Sequence, residues 1–116
     1  MKMLHVTIRT NRFEEELKFY QEIAELAVTR DMRPMGREMI FLSNGEGETK
    51  IEIIGTPEAE NAGNEFLSIG FRTQDVEAKR EELLEKGLNV SPMVSPGPQV
   101  KFFHVTDPAG VRVQFM

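Results

Sequence analysis

Apolar and polar residues alternate from Met3 to Thr10, setting Leu4, Val6 and Ile8 on one side and Met3, His5, Thr7 and Arg9 on the other, as in a strand with one buried face. Asn11 follows, with Glu14 three residues on, and this spacing predicts a capping box at the start of a helix. Along that helix Phe13, Leu17, Tyr20 and Ala24 recur as a core-facing stripe, and its end is expected near Glu25 to Ala27. The run from Leu26 to Met32 predicts a weaker strand, broken by Pro34 and Gly36, and Glu38 to Ser43 a firmer one. Asn44-Gly45 is a turn signal that returns the chain through a strand over Thr49 to Gly55. The first half therefore reads βαβββ.

The polar stretch Thr56 to Glu65 has no apolar period and reads as a linker. Phe66 to Thr73 predicts a strand, and Asp75 to Lys86 a helix with Val76, Leu83 and Leu84 inward and Gly87 at its C-terminal cap. Leu88 to Val90 is expected as a short strand, while Ser91 to Gln99 is too rich in proline for a central strand and should form an edge or a loop. Val100 to Val105, the turn Asp107-Pro108-Ala109-Gly110 and Val111 to Met116 complete a hairpin. The expected organisation is one domain over 1–116, with module one at 1–56, a linker at 57–65 and module two at 66–116.

The two halves repeat. An offset of 63 pairs His5-Val6-Thr7-Ile8-Arg9-Thr10 with Ser68-Ile69-Gly70-Phe71-Arg72-Thr73, and an offset of 62 pairs Phe41 with Phe103 and Lys50-Ile51-Glu52-Ile53 with Arg112-Val113-Gln114-Phe115. The one-residue slip is expected in the variable middle, which sets His104 beside Leu42 and, if Phe103 lines a cleft, turns His104 away from it. Equivalent strands around a pseudo-twofold axis would direct His5, Glu52, Ser68 and Gln114 toward a shared cleft. Glu52 is the most pointed of these, because a carboxylate in mid-strand needs solvent, a partner or a metal.

Composition narrows the chemistry. The 116 residues are 40% hydrophobic and 28% charged, the balance of a water-soluble globular domain, and the net charge of −5 argues against a nucleic-acid backbone as partner. Glu14, Glu15, Glu16, Glu81 and Glu82 are assigned to solvated helix faces. The chain has no cysteine, which excludes disulfides and thiolate ligands, and no run of 18 apolar residues; a cytoplasmic protein without a membrane partner is the expectation.

With the repeat in view, the chain resembles the vicinal oxygen chelate superfamily, the glyoxalase, bleomycin-resistance and extradiol-dioxygenase group. The resemblance is carried by Leu4-His5-Val6-Thr7-Ile8, Phe19-Tyr20, Lys50-Ile51-Glu52-Ile53, Leu67-Ser68-Ile69-Gly70-Phe71 with Asp75-Val76, and the closing Asp107-Pro108-Ala109-Gly110-Val111-Arg112-Val113-Gln114-Phe115. It implies an α+β fold of two βαβββ modules forming a curved mixed sheet around a cleft, and a homodimer. It also implies a divalent metal ion (zinc, nickel, manganese or iron) held by His5, Glu52 and Gln114, with Glu52 as the catalytic carboxylate. Ser68 stands where the family pattern has His and Gln114 where it has Glu, so the second half of the ligand set is depleted.

Two functions follow. One is a metal-dependent lyase or isomerase acting on a small oxygenated substrate, in which the ion is a Lewis acid. Gln114 cannot serve as the last-strand base there, and Glu52 loses basicity if it also ligates the ion. The other is a metal-free small-molecule binding or resistance protein of the antibiotic-sequestering kind. In both, Thr7, Phe41, Ser68, Phe103 and Arg112 are expected to line the ligand pocket. Arg9 and Arg72 are candidates for binding an anionic substrate or for capping backbone carbonyls, and His104 is left outside the metal set.

Overall fold

Strand β1 (His5–Thr10) leads into helix α1 (Phe13–Glu22), β2 (Ala27–Asp31), a 3-10 turn (Arg33–Met35), β3 (Met39–Ser43) and β4 (Lys50–Gly55) in the computed structural model, which describes residues 1–63 and 66–116. Of the expected linker, Asn64 and Glu65 lie outside the described residues. The chain divides into two compact units, Met1–Ala62 and Gly63–Met116.

In the first unit the sheet order is β1-β4-β3-β2, with β1 parallel to β4 and the other pairs antiparallel. Strand alternation puts Ile8, Ile40, Leu42, Ile51 and Ile53 on one face, and α1 packs on β3 and β4 with Phe13, Leu17 and Tyr20 buried, as the stripe predicts. Each such side chain contributes about 1.5–3 kcal/mol by leaving water. The predicted capping box does not form. Arg12 is the N-cap and makes no side-chain cap bond; the backbone N–H of Asn11 goes to the carbonyl of Ala59, and Thr10 Oγ1 accepts from the N–H of Arg12 at 3.0 Å. The helix ends at Glu22, before Glu25 turns into the left-handed region at φ 57°. Glu16 is a second correction, for it is fully buried rather than solvated.

The second unit repeats the plan with β5 (Ser68–Phe71), α2 (Val76–Glu85), β6 (Val94–Gly97), β7 (Val100–Thr106) and β8 (Arg112–Phe115), in sheet order β5-β8-β7-β6. Asp75 caps α2 by accepting from the N–H of Ala78 at 3.0 Å, and Gly87, at φ 82°, takes the left-handed position just past its end. Leu83 is fully buried but Leu84 is exposed, against expectation; the buried positions of α2 are Leu83 and Lys79, whose Nζ lies 5.4 Å from the Phe115 ring centroid. The stretch Leu88 to Val90 is not a strand: only Val90 bridges to Val105. Ser91 holds β7 instead, its N–H donating to the carbonyl of His104 and its Oγ accepting from the N–H of His104. Pro92 then breaks the ladder, so the edge strand starts at Val94 within the proline-rich segment.

Cross-strand register corrects the alignment of the two halves. Phe41 faces Glu52, and His104 faces Gln114. His104, not Phe103, is thus the counterpart of Phe41, and the third strands align at the offset of the first strands. The slip falls in the β7–β8 turn, which is one residue shorter than the β3–β4 turn. No helix among the described residues is long and apolar enough to cross a membrane.

Candidate functional site

The face of the first sheet opposite α1 carries the sequence-predicted residues of module one. Register places Arg30, Phe41, Glu52 and Thr7 in one row across β2, β3, β4 and β1, and Lys50 and His5 in the next. Parallel pairing brings Thr7 beside Glu52 because both side chains leave the same side of the pleat. Thr7 Oγ1 donates to Glu52 Oε1 at 2.5 Å, and His5 Nε2 lies 3.5 Å from the same oxygen. Glu52 is 8% exposed, so its charge is held in a partly dehydrated position by the hydroxyl and the imidazole together. Glu52 Oε2 has no partner among the described residues. The His5 ring meets Phe41 edge-on, with centroids 5.9 Å apart.

Beside this pair lies an open hollow of about 280 Å3 lined by Leu4, His5, Thr29, Arg30, Phe41 and Lys50. Arg30 escaped the sequence reading because β2 shifts register between Val28 and Arg30, and only that irregularity sets Arg30 opposite Phe41. A larger hollow of about 520 Å3, lined by Asp75, Glu77, Ala78, Arg80, Glu81 and Met93, lies along α2 away from the predicted site residues of that unit.

In the second unit Ser68 pairs with Arg112, and Gly70 with Gln114. These share a sheet face with His104, which is half-buried and meets the Phe102 ring edge-on at 5.6 Å. Burial lowers the His104 pKa below the usual imidazole value, the charge of Arg112 lowers it further, and the neighbouring Gln114 side chain opposes both. Phe103, expected in the pocket, lies on the opposite face; it is fully buried and stacks on Phe115 at 5.6 Å. Alignment with Phe41 by residue identity sets it on the wrong face, because His104 is the counterpart of Phe41. His104 was missed for the same reason, although alternation with Phe102 on the strand offered a signal.

No group of three or more His, Cys, Asp or Glu side chains among the described residues is arranged to hold a metal ion. His5 and Glu52 are nonetheless two donors of a suitable kind, imidazole and carboxylate, with nitrogen and oxygen at a separation that two ligands of one ion can take. Gln114 belongs to the second unit.

Comparison with known proteins agrees with the βαβββ repeat. The fosfomycin resistance protein FosX of Listeria monocytogenes matches with a TM-score of 0.80 at 14% identity, over 99% of this chain and 91% of that one. TnmS3, an antibiotic binding protein of a Streptomyces species, matches with a TM-score of 0.77 at 18% identity, over 99% and 93%. At these identities the likeness is one of fold. A lactoylglutathione lyase of Haemophilus influenzae is 26% identical over 125 aligned positions, which cover 100% of this chain and 92% of that protein. A family model spans residues 2–115, and with the module order and pairing described above it assigns the chain to the Glyoxalase/Bleomycin resistance protein/Dioxygenase superfamily.

Proposed function

We propose that this glyoxalase-family protein is a lyase or isomerase of a small oxygenated substrate, with the open face of module one as its reacting surface. The observation that carries the proposal is the convergence of Thr7 Oγ1 and His5 Nε2 on one oxygen of Glu52. His5 and Glu52 would hold a divalent ion, with Gln114 as a further donor on the family pattern; such an ion, when bound, supplies Lewis-acid polarisation of substrate oxygens. Thr7 fixes the orientation of the carboxylate. Glu52 Oε2, which has no partner among the described residues, is the atom placed to accept a proton, at a basicity that ligation of the ion would lower, and its small exposure limits competition from water. Thr7 and Phe41 in the first unit, and Ser68 and Arg112 in the second, are proposed as ligand-contacting residues. Similarity to a lactoylglutathione lyase supports the reaction class.

The test is divalent-ion binding and turnover of lactoylglutathione by the chelator-treated protein, reloaded in turn with zinc, nickel, manganese and iron. His5→Ala and Glu52→Gln should each abolish both with the fold retained. Metal bound equally by both variants, or by none including the parent, would overturn the proposal.

A second function, metal-free binding of an antibiotic-like molecule, is favoured by the count of donors, two in the first unit, and by the aromatic-edged hollow beside them. It predicts ligand-induced thermal stabilisation that survives chelator and both substitutions. A homodimer in the cytoplasm is part of either proposal; light scattering of the purified protein tests the dimer.

A further inference from the structure

The hollow beside His5 has an unbalanced set of polar groups. Four cations of this acidic chain are held in ion pairs among the described residues, Arg33 with Asp31, Arg12 with Glu15, Lys79 with Glu82 and Lys101 with Glu77. Arg30 and Lys50 make no ion pair and no side-chain hydrogen bond among the described residues, although the net charge is −5. They project from β2 and β4, on the same face as Phe41 of the intervening β3.

The other polar groups of the hollow are already engaged. Thr29 Oγ1 donates to the carbonyl of Phe41 at 3.3 Å, and His5 Nε2 is directed to Glu52. What the lining offers a ligand is therefore a guanidinium and an ammonium, both donors and both positive, over the apolar surfaces of Leu4 and Phe41. A neutral occupant would leave these two like charges facing one another across the hollow, whereas an anion compensates both.

We infer that the hollow binds a small organic anion, its carboxylate or phosphonate oxygens held between Arg30 and Lys50 and its apolar body laid on Phe41 and Leu4. The guanidinium suits a two-oxygen group in bidentate fashion, and Lys50 adds a point charge. About 280 Å3 admits one small molecule, near the lower end of ligand pockets. The row Arg30, Phe41, Glu52, Thr7 then sets direction: an anion anchored at Arg30 extends past Phe41 toward Glu52. This names the substrate class of the proposed reacting face and rests on that assignment.

The experiment is calorimetric titration of the whole protein with benzoate, phenylphosphonate and the neutral benzyl alcohol, at low and high salt. Saturable binding of either anion is expected, weakened by salt, with none for benzyl alcohol; which anion binds distinguishes a carboxylate from a phosphonate ligand. Arg30→Ala and Lys50→Ala should each weaken binding roughly tenfold, as loss of a charged hydrogen bond does, and Arg30→Lys should recover part of it. Glu52→Gln should keep or strengthen anion binding. Anion binding intact in a protein that turns over no substrate would remove the lyase proposal and leave this site standing. Absence of saturable anion binding, or equal binding by the Arg30→Ala/Lys50→Ala double variant, would overturn it.

Discussion

Thr7 Oγ1 donates to Oε1 of Glu52 across two parallel strands, 45 residues apart in the chain. A hydroxyl that orients a carboxylate acts through that carboxylate. Thr7→Val, which keeps the shape and removes the donor, is expected to lower divalent-ion affinity or turnover by about 10–100-fold. It should also cost about 1–3 kcal/mol of stability, because a nearly buried acceptor loses a partner. Thr7→Ser should restore most of the activity. Activity unchanged in Thr7→Val would separate Thr7 from the site.

Leu83 and Leu84 are neighbours with opposite fates on α2. Leu83→Ala removes a fully buried side chain and should destabilise by about 2–5 kcal/mol in urea unfolding. Leu84→Ala, at an exposed position, should stay within about 0.5 kcal/mol of the parent. Similar losses in both would contradict the placement of the helix.

Glu82 reports on acid stability. The hydrogen bond from Lys79, whose Nζ is 2.9 Å from Glu82 Oε2, lowers the Glu82 pKa below its ordinary 4.5; desolvation opposes this, and the nearby charges of Lys79 and Lys86 assist it. The folded state thus binds this proton more weakly than the unfolded state. The contribution is present above 4.5 and is lost as pH falls through the lowered value. Glu82→Gln should therefore narrow the difference in urea midpoint between about pH 6 and pH 3. An undiminished difference would show that other carboxylates carry the acid sensitivity.

Asp107 Oδ1 accepts from the N–H groups of Ala109 at 2.9 Å and Val111 at 2.8 Å, closing the turn before β8, where Gly110 takes φ 87°. Asp107→Ala leaves two buried donors without that acceptor and should cost about 2–4 kcal/mol, with Asp107→Asn recovering part. A thermal shift of under a degree for the alanine variant would contradict this.

Periodicity is enough to read the long elements, though not the edge strand of the second sheet, which lies at Val94–Gly97 rather than Leu88 to Val90. The Phe13, Leu17, Tyr20 stripe and the alternation in β1 and β4 arise from burial of one face, which is written directly in residue type. Register was harder to read, because it depends on the length of each hairpin turn. Matching Phe41 to Phe103 by identity ignores the turn, which is shorter by one residue, sets His104 there and sends Phe103 into the core. Arg30 was hidden by a bulge, and the start of α1 by a choice between two adjacent residues that local spacing does not resolve. His5, Thr7 and Glu52, which depend only on two regular strands, were legible.

Gly70 occupies in β5 the place that Thr7 holds in β1, and it faces Gln114 as Thr7 faces Glu52. A Cβ built at Gly70 would meet nothing within 4 Å. The second module thus retains the scaffold for a carboxylate clamp while lacking both members of it, and the vacancy is a matter of side chains rather than of backbone. Gly70→Thr combined with Gln114→Glu would transplant the pair in register, giving the second sheet a hydroxyl and a carboxylate side by side, with Ser68 where the first sheet has His5.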